Sequence, residues 1–367
     1  MKRTQTFALA GTLALATLAV GALSSADAAL PRAKSNPIRV GIQWQGEDKV
    51  EVTITNTSRK TLRIPKWQLP TMASEFDLFR LSRDGQPVEY TGRLVKRAVP
   101  TAGEFEIIRP GRSVRAVVAL GQSYDMRKPG IYTVTYAALT QYASLSGGEQ
   151  LKQGNGMPMV AQGAPIRVAL AAGVAVDTHY HPVLPARPVL SDVLGVSYTG
   201  CTTTQIADNN KAILSARSLV DNDNSYLNAG TTGPRYTTWF GAYTTTRYNT
   251  VKQHFSALNT AFNQTGGQIT LNCTFASCDA GVYAWVFSNQ PYEIHLCSGY
   301  WSAPLVGTDS KAGTLVHEMS HFDVVAGTND HVYGQRDASA LAVSNPDMAI
   351  DNADNHEYFS ENTPFQN

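Results

Sequence analysis

The sequence has little charge and no strong excess of either sign. Only 16% of its 367 residues are Asp, Glu, Lys or Arg, and the formal net charge is +1. Binding to nucleic acid requires a basic surface, so we expect no nucleic-acid partner. Beyond the N-terminus, no stretch approaches the roughly 18 consecutive apolar residues of a membrane-spanning helix. We therefore also expect no stable membrane association.

The near-neutral total is the sum of two parts with opposite charge. Residues 1–195 contain 23 basic and 14 acidic side chains, a net of +9, whereas residues 196–367 contain 7 basic and 15 acidic ones, a net of −8. The chain is long enough for two or three domains, and a shift of this size indicates a domain boundary near residue 195.

The N-terminus has the pattern of a secretory signal peptide over residues 1–28. Lys2 and Arg3 precede an apolar run over residues 7–20, and Ala26-Asp27-Ala28 forms a small-x-small cleavage site. A membrane anchor is the alternative, but the run is too short and ends in polar residues. The pattern predicts a secreted, extracellular protein.

Cysteine is scarce, and all of it lies in the acidic part of the chain. The four residues are Cys201, Cys273, Cys278 and Cys297. An even number in an exported chain favours two disulfides, for which three connectivities exist. A site in which all four cysteines bind zinc is disfavoured, because C-x4-C without a second close pair is poor zinc spacing.

Residues 29–170 have the pattern of an all-β module. Val50, Val52 and Ile54 alternate with polar residues, and further short apolar runs are separated by turns such as Pro110-Gly111. The spacing predicts an immunoglobulin-like β-sandwich. No cysteine and no group of histidines with carboxylates occurs in it, which favours a folding or docking module. Residues 171–195, with Pro182, Pro185 and Pro188, are predicted to be an extended linker.

Residues 196–367 are predicted to form an α+β domain dominated by helices. Four apolar residues at helical spacing predict one helix, and short strands are expected at residues 268–271, 282–287 and 293–297. Asp309 is predicted to cap a helix over residues 310–326 that Gly327 ends. Asn345 followed by proline indicates the start of another short helix. The four apolar residues that predict the first of these helices are Val251, Phe255, Leu258 and Phe262.

The predicted helix after Asp309 contains the motif His317-Glu318-Met319-Ser320-His321. Histidines four residues apart project from one face of a helix, so both imidazoles can bind a single Zn²⁺. The carboxylate of Glu318 is then in position to act as general base toward an attacking water. The alternative is two surface histidines with an ion-paired glutamate.

A catalytic zinc site needs a third protein ligand. A histidine six residues after His321 is excluded, because that position is Gly327, and Glu357 is one candidate further along the chain. Asp330 is the stronger candidate, because the glycine lets the chain reverse and bring the carboxylate back to the metal. Tyr333 is then placed to support a developing oxyanion.

These motifs resemble those of the aspzincin (deuterolysin-like) metalloendopeptidases, whose signature is HExxH followed by GTxDxxYG. Here the two elements read HEMSH and, over residues 327–334, GTNDHVYG. The resemblance implies a mainly helical zincin-type catalytic domain with one Zn²⁺ held by His317, His321 and Asp330. It also implies that Glu318 is the catalytic base and Tyr333 a transition-state stabiliser. His331 is interpreted as a turn residue beside the ligand.

Further segments, residues 235–241, 307–310 and 351–359, resemble the peptidyl-Lys metalloendopeptidase branch of that family, which cleaves on the amino side of lysine. The resemblance covers residues 196–367 and implies that Asp354 and Glu357 face the lysine ammonium of protein or peptide substrates. Two carboxylates three residues apart on a helix share a face and suit a compact cation. The resemblance further implies the disulfides Cys201–Cys273 and Cys278–Cys297.

By the same resemblance, the basic N-terminal part is a propeptide that inhibits the enzyme until export is complete. Lys152 is the only lysine between Lys128 and Lys211, so we expect either a self-cut before Lys152 or none, followed by trimming near residues 187–195 by another protease.

Two alternatives to a lysine-specific endopeptidase stay open for the function of the chain. One is a deuterolysin of broader specificity, and the other is a non-catalytic secreted binding protein.

Overall fold

A computed structural model describes residues 36–72, 76–173, 194–274 and 278–367. The predicted signal peptide and most of the predicted linker lie outside these residues. Residues 36–367 cluster as one compact unit. Among the described residues, no helix is long and apolar enough to cross a membrane.

The first part of the chain folds almost entirely into strands, joined by single 3-10 turns at Lys66–Gln68, Pro70–Met72, Ala102–Glu104 and Leu120–Gln122. The strands are β1 (Ile38–Gly46), β2 (Lys49–Asn56), β3 (Leu62–Pro65), β4 (Phe79–Arg83), β5 (Gln86–Val88), β6 (Arg93–Arg97), β7 (Phe105–Ile108), β8 (Ser113–Ala119), β9 (Gly130–Leu139), β10 (Ser144–Leu145), β11 (Glu149–Gln150), β12 (Val160–Gln162) and β13 (Ile166–Leu170).

These strands pair antiparallel in three sheets with the orders β1-β2-β8, β11-β10-β3-β7 and β12-β9-β4-β5, and β13 also pairs with β9. Val50, Val52 and Ile54 of β2 are fully buried, so the alternating pattern did identify a half-buried strand. The β content of this region is thus confirmed, whereas its immunoglobulin-like topology stays a prediction.

The second part of the chain is mainly helical, as predicted. Its elements are β14 (Val196–Thr199), α1 (Thr203–Asn228), α2 (Pro234–Phe240), α3 (Thr245–Phe262), β15 (Ile269–Asn272), β16 (Val282–Phe287), β17 (Glu293–Leu296), α4 (Ser298–Ser302), α5 (Lys311–Ser320), α6 (Gln335–Ser344), α7 (Pro346–Ala349) and α8 (Ala353–Glu361).

Helix α3 contains the four apolar residues at helical spacing, and all four are buried. Asn345 caps α7 through a side-chain bond from the backbone N–H of Met348, as its sequence predicts. Helix α1, the longest, was not predicted, because its buried face includes the polar residues Asn209 and Asp223 and its apolar periodicity is weak.

Strand β6 leaves the N-terminal sheets and joins the sheet of the helical part. That sheet has the order β14-β15-β17-β16-β6, in which β6 runs antiparallel to β16. Helix α5 contacts both β16 and β6, and α8 packs along α5. Five residues of the N-terminal part therefore lie directly over the helix that contains the histidine motif.

Two disulfides tie the helical part together, Cys201–Cys273 and Cys278–Cys297. These are the pairs that the family resemblance implies. The first links the residues that follow β14 and β15, two neighbouring parallel strands. The second links the residue after β17 to the segment that precedes its partner β16.

Candidate active site

Helix α5 carries the histidine motif in its last turn, and every residue of the helix is buried. The predicted boundaries of this helix are wrong at both ends. Its cap is Ser310, which accepts a bond from the backbone N–H of Gly313, because Asp309 adopts a left-handed conformation with φ of 51°. The helix ends at Ser320, with His321 as its C-cap, rather than near residue 326, and the chain then turns back.

The turn after α5 brings Asp330 to the two histidines. Gly327 has φ of 61°, a conformation that glycine adopts at little cost. The N–H of Thr328 then donates to the carbonyl of Ser320 at 3.1 Å, which fastens the returning chain to the end of the helix. Gly327 thus takes part in the chain reversal, as predicted. It does not end the helix, however, because the helix stops at Ser320, several residues earlier.

Three buried atoms converge at this point without a hydrogen-bond partner in the part of the chain that the structure describes: Nε2 of His317, Nε2 of His321 and Oδ1 of Asp330. Oδ1 lies 3.2 Å from the first nitrogen and 3.5 Å from the second. Ligands of a tetrahedral zinc ion with bonds of about 2.0–2.1 Å stand roughly 3.3 Å apart. The donor set and its spacing therefore fit a zinc ion.

The other ring nitrogens of both histidines lie close to oxygen atoms: the one in His321 is hydrogen-bonded, and the one in His317 faces a carboxylate at ion-pair distance. Nδ1 of His321 lies 2.8 Å from the carbonyl oxygen of Thr328, and Nδ1 of His317 lies 2.9 Å from Oδ1 of Asp354. A nitrogen that donates to such an acceptor leaves Nε2 as the nitrogen that faces the metal. Asp354 thus lies against a candidate metal ligand, in addition to the role in binding lysine that the sequence predicts for it.

The acidic pocket next to the candidate metal site contains the side chain of Lys96, from β6. Its ammonium lies 2.5 Å from Glu357, 3.3 Å from Asp309 and 3.9 Å from Asp354. Burial alone would lower the pKa of Lys96, but the three carboxylates hold the pKa well above its ordinary value. The lysine is therefore charged although only 1% of its side chain is exposed.

The structure brings the two acidic residues predicted for the lysine pocket together and adds a third. Sequence reasoning assigned Asp309 to the helix cap and missed its place in the pocket. The rings of Tyr283 and Tyr358 complete the walls, 5.1 Å and 5.7 Å from the ammonium, and Tyr358 also donates to Asp309 at 2.7 Å. The rings contribute cation–π attraction to the same charge.

The backbone beside Lys96 is held by the other predicted site residues. The phenol of Tyr333 donates to the carbonyl oxygen of Val95 at 2.8 Å, and the Val95 N–H donates to Oδ2 of Asp330 at 2.8 Å. Burial raises the pKa of Tyr333 well above its ordinary value, so the phenol keeps the proton that it donates. Burial also raises the pKa of Glu318 to about 7, while His317, His321 and the backbone of Lys96 act in the opposite direction.

Gln141 fixes the backbone of Tyr333 from the N-terminal part. Its Oε1 accepts from the Tyr333 N–H at 2.9 Å, and its Nε2 donates to the Tyr333 carbonyl at 2.7 Å. No pattern in the sequence singles out this glutamine. His331, interpreted as a turn residue, lies 2.7 Å from Asp351 and is not among the candidate metal ligands of the described residues.

Comparison with known proteins agrees with this geometry. The family model described as lysine-specific metallo-endopeptidase matches residues 225–361. An extracellular protease of Aeromonas hydrophila is 39% identical over 321 residues, which cover 87% of this chain and 89% of that one. A peptidyl-Lys metalloendopeptidase of Grifola frondosa is 36% identical over 329 residues, with the same coverage. One of Pleurotus ostreatus is 48% identical over 169 residues, which cover 46% of this chain and 98% of that one.

Two of these relatives exceed 35% identity along nearly their whole length, and the family model spans the helix motif and the acidic pocket alike. The chain is therefore a member of the aspzincin family and a metalloendopeptidase.

Proposed function

We propose that the protein is a zinc-dependent endopeptidase that cleaves peptide bonds on the amino side of lysine. One observation carries the proposal: a lysine ammonium is enclosed by Glu357, Asp309 and Asp354 directly beside the candidate metal ligands. Two of the relatives are described as peptidyl-Lys metalloendopeptidases, which supports the same specificity.

In this proposal, His317, His321 and Asp330 hold one Zn²⁺ per chain. Zinc in such a site polarises the substrate carbonyl and lowers the pKa of the attacking water. Glu318 accepts a proton from that water and passes it to the leaving nitrogen. The phenol of Tyr333 donates to the carbonyl oxygen, and this bond strengthens as negative charge develops there.

Asp354 is proposed to act in two places. Its Oδ1 lies 2.9 Å from Nδ1 of His317, and its Oδ2 accepts from the backbone N–H of Gly334. These contacts orient a metal ligand and fix the start of α6. At 3.9 Å from the lysine ammonium, Asp354 adds charge to the pocket, while Glu357 makes the direct contact.

The pocket is proposed to prefer lysine over arginine. An ammonium is compact and donates in three directions, which suits three carboxylates around one point. The flat guanidinium needs two acceptor atoms side by side in its own plane, and the tyrosine rings that flank the ammonium restrict the space for it.

We also propose that residues 29–170 act as an inhibitory propeptide and that the protein is secreted behind a signal peptide. Strand β6 covers the site, and Gln141 holds Tyr333, which supports inhibition. The net charges of +9 and −8 in the two parts favour their association. One relative is described as an extracellular protease.

Matched fluorogenic peptides that differ only at the residue after the cleaved bond test the function. The matured enzyme should cleave the lysine peptide, should cleave the arginine peptide far more slowly, and should lose activity when a chelator removes the metal. Zinc should restore the activity, and metal analysis should find one zinc per chain. Equal cleavage of lysine, arginine and leucine peptides would point to a protease of broad specificity.

A further inference from the structure

We propose that the Val95–Lys96 bond is the first peptide bond that this protein cleaves in its own chain, with β6 bound in the site as a substrate. This inference rests on the proposed lysine-directed endopeptidase activity. It adds a modification site inside the N-terminal part of the chain. This site lies upstream of Lys152, the lysine at which the sequence predicted a possible self-cut.

The backbone of β6 has the arrangement of a bound peptide substrate. Without β6, strand β16 would be the edge of its sheet, and an unpaired edge accepts an extended peptide through main-chain hydrogen bonds. Val95 lies opposite Trp285 and Lys96 opposite Ala284 in this pairing. The pairing fixes the segment lengthwise and sets the Val95–Lys96 bond at the candidate metal site.

Both residues of the proposed bond contact groups that the mechanism uses. The Val95 carbonyl accepts from Tyr333, the group proposed to support the oxyanion, and the Val95 N–H donates to Asp330. The side chain of Lys96 enters the pocket that selects the residue after the cleaved bond.

Lys152 lies in different surroundings. Its backbone pairs with Pro158, its ammonium lies 3.8 Å from Asp337, and 34% of its side chain is exposed. Among the described lysines, Lys96 is the one whose ammonium reaches the pocket carboxylates. Cleavage before Lys152 would require β6 to leave the pocket first.

The reaction is an ordinary hydrolysis with water as the co-reactant. The water oxygen bonds to the carbonyl carbon of Val95, and the bond from that carbon to the nitrogen of Lys96 breaks. Glu318 takes one proton from the water and delivers it to the departing nitrogen. The products are a carboxylate at Val95 and a new amino terminus at Lys96.

A cut at this bond does not by itself separate the two parts. Strands β1 to β5 precede the bond, and three of them pair with strands that follow it: β2 with β8, β3 with β7 and β4 with β9. The nicked chain therefore stays assembled under native conditions. Full release needs further cleavage, so the nick should precede maturation and appear only under denaturing conditions.

The full chain, produced with chelator present and then given zinc, provides the test. Intact mass and N-terminal sequencing under denaturing conditions should show, as the earliest product, a fragment that begins at Lys96. Its rate of formation should not depend on protein concentration, because the bond is cleaved within one molecule. Lys96→Ala should abolish this fragment, Glu318→Gln should abolish all self-cleavage, and the matched control Lys152→Ala should leave the first cut unchanged.

The wild-type time course decides the question even if a variant folds poorly. An earliest cut before Lys152, or a Val95–Lys96 bond that is intact after maturation, would overturn this inference. In both cases cleavage of lysine peptides by the matured enzyme would leave the proposed function standing. Failure to cleave lysine peptides in trans would overturn the proposed function instead.

Discussion

The ammonium of Lys96 lies 2.5 Å from the carboxylate of Glu357, a residue 261 positions later in the chain. Both side chains are almost completely buried, and the pair joins a strand of the N-terminal part to helix α8 of the enzyme part. A buried charge is costly without a partner. The pocket holds a lysine of the protein itself, and this occupant supports the proposed preference for lysine.

Glu357→Gln should remove the direct partner of a lysine ammonium in the pocket. Loss of one member of a buried charge pair costs about 3 kcal/mol, which corresponds to a roughly 100-fold lower kcat/KM for a lysine peptide. Steady-state kinetics of the matured enzyme measure this. Asp347→Asn, at an exposed position, is the matched control and should change little. An unchanged kcat/KM in Glu357→Gln would remove Glu357 from the specificity pocket.

Asp309→Asn should have a smaller effect that depends on salt. The carboxylate lies 3.3 Å from the Lys96 ammonium, but 41% of its side chain is exposed, so solvent screens the interaction. We expect KM for a lysine peptide to rise by about fivefold at low ionic strength, and the difference from wild type to shrink at high salt. A difference that does not respond to salt would mean that Asp309 acts through Tyr358 or the backbone.

Tyr333→Phe should slow the chemical step and leave substrate binding nearly intact. The phenol donates to a carbonyl oxygen in the position of the bond to be cleaved, and removal of one such donor lowers kcat by roughly 100-fold. Kinetics should show a fall in kcat with little change in KM. Tyr243→Phe, at an exposed tyrosine, is the control. A higher KM at constant kcat would assign Tyr333 to substrate binding alone.

His356 should make the fold sensitive to mild acid. Burial and the nearby His254 lower its pKa to about 3 from an ordinary value near 6.5. Between these values the unfolded chain binds a proton that the folded chain does not. Stability is therefore full above about pH 6.5 and is lost as the pH falls, by at most about 1.4 kcal/mol per pH unit.

Urea unfolding at several pH values measures this slope. His356→Phe keeps a ring against Phe255 and removes the titrating group, although it also removes the contact with the carbonyl of Asn352. The variant should be less stable at neutral pH but lose less stability on acidification than wild type does. Parallel slopes for the two proteins would contradict the assignment.

The local motifs of the site were predictable because their chemistry depends on short spacing. Residues four apart on a helix share a face, which places His317 and His321 together. The glycine after them lets the chain reverse and bring Asp330 back to the histidines. The strands and the helix with clear apolar periodicity were predictable for the same reason. Helix α1 was not, because Asn209 and Asp223 interrupt its buried face.

The partners from distant parts of the chain were not predictable. Asp309 has the sequence context of a helix cap, but in the structure its backbone is left-handed and its side chain lies in the pocket, 3.3 Å from the Lys96 ammonium. Lys96 lies in a short run of basic residues, a pattern typical of a solvated surface, and its burial depends on a strand pairing with β16. Such contacts depend on the register between strands and helices that are far apart in the chain. Local sequence patterns do not specify this register.

The most direct test of the account is the cleavage-site profile of the matured enzyme on a peptide library with every residue type represented. The bound position of Lys96 predicts lysine immediately after the cleaved bond in nearly every product. Cleavage sites scattered among residue types, or an equal preference for arginine, would contradict the assignment of Glu357, Asp309 and Asp354 as a lysine pocket.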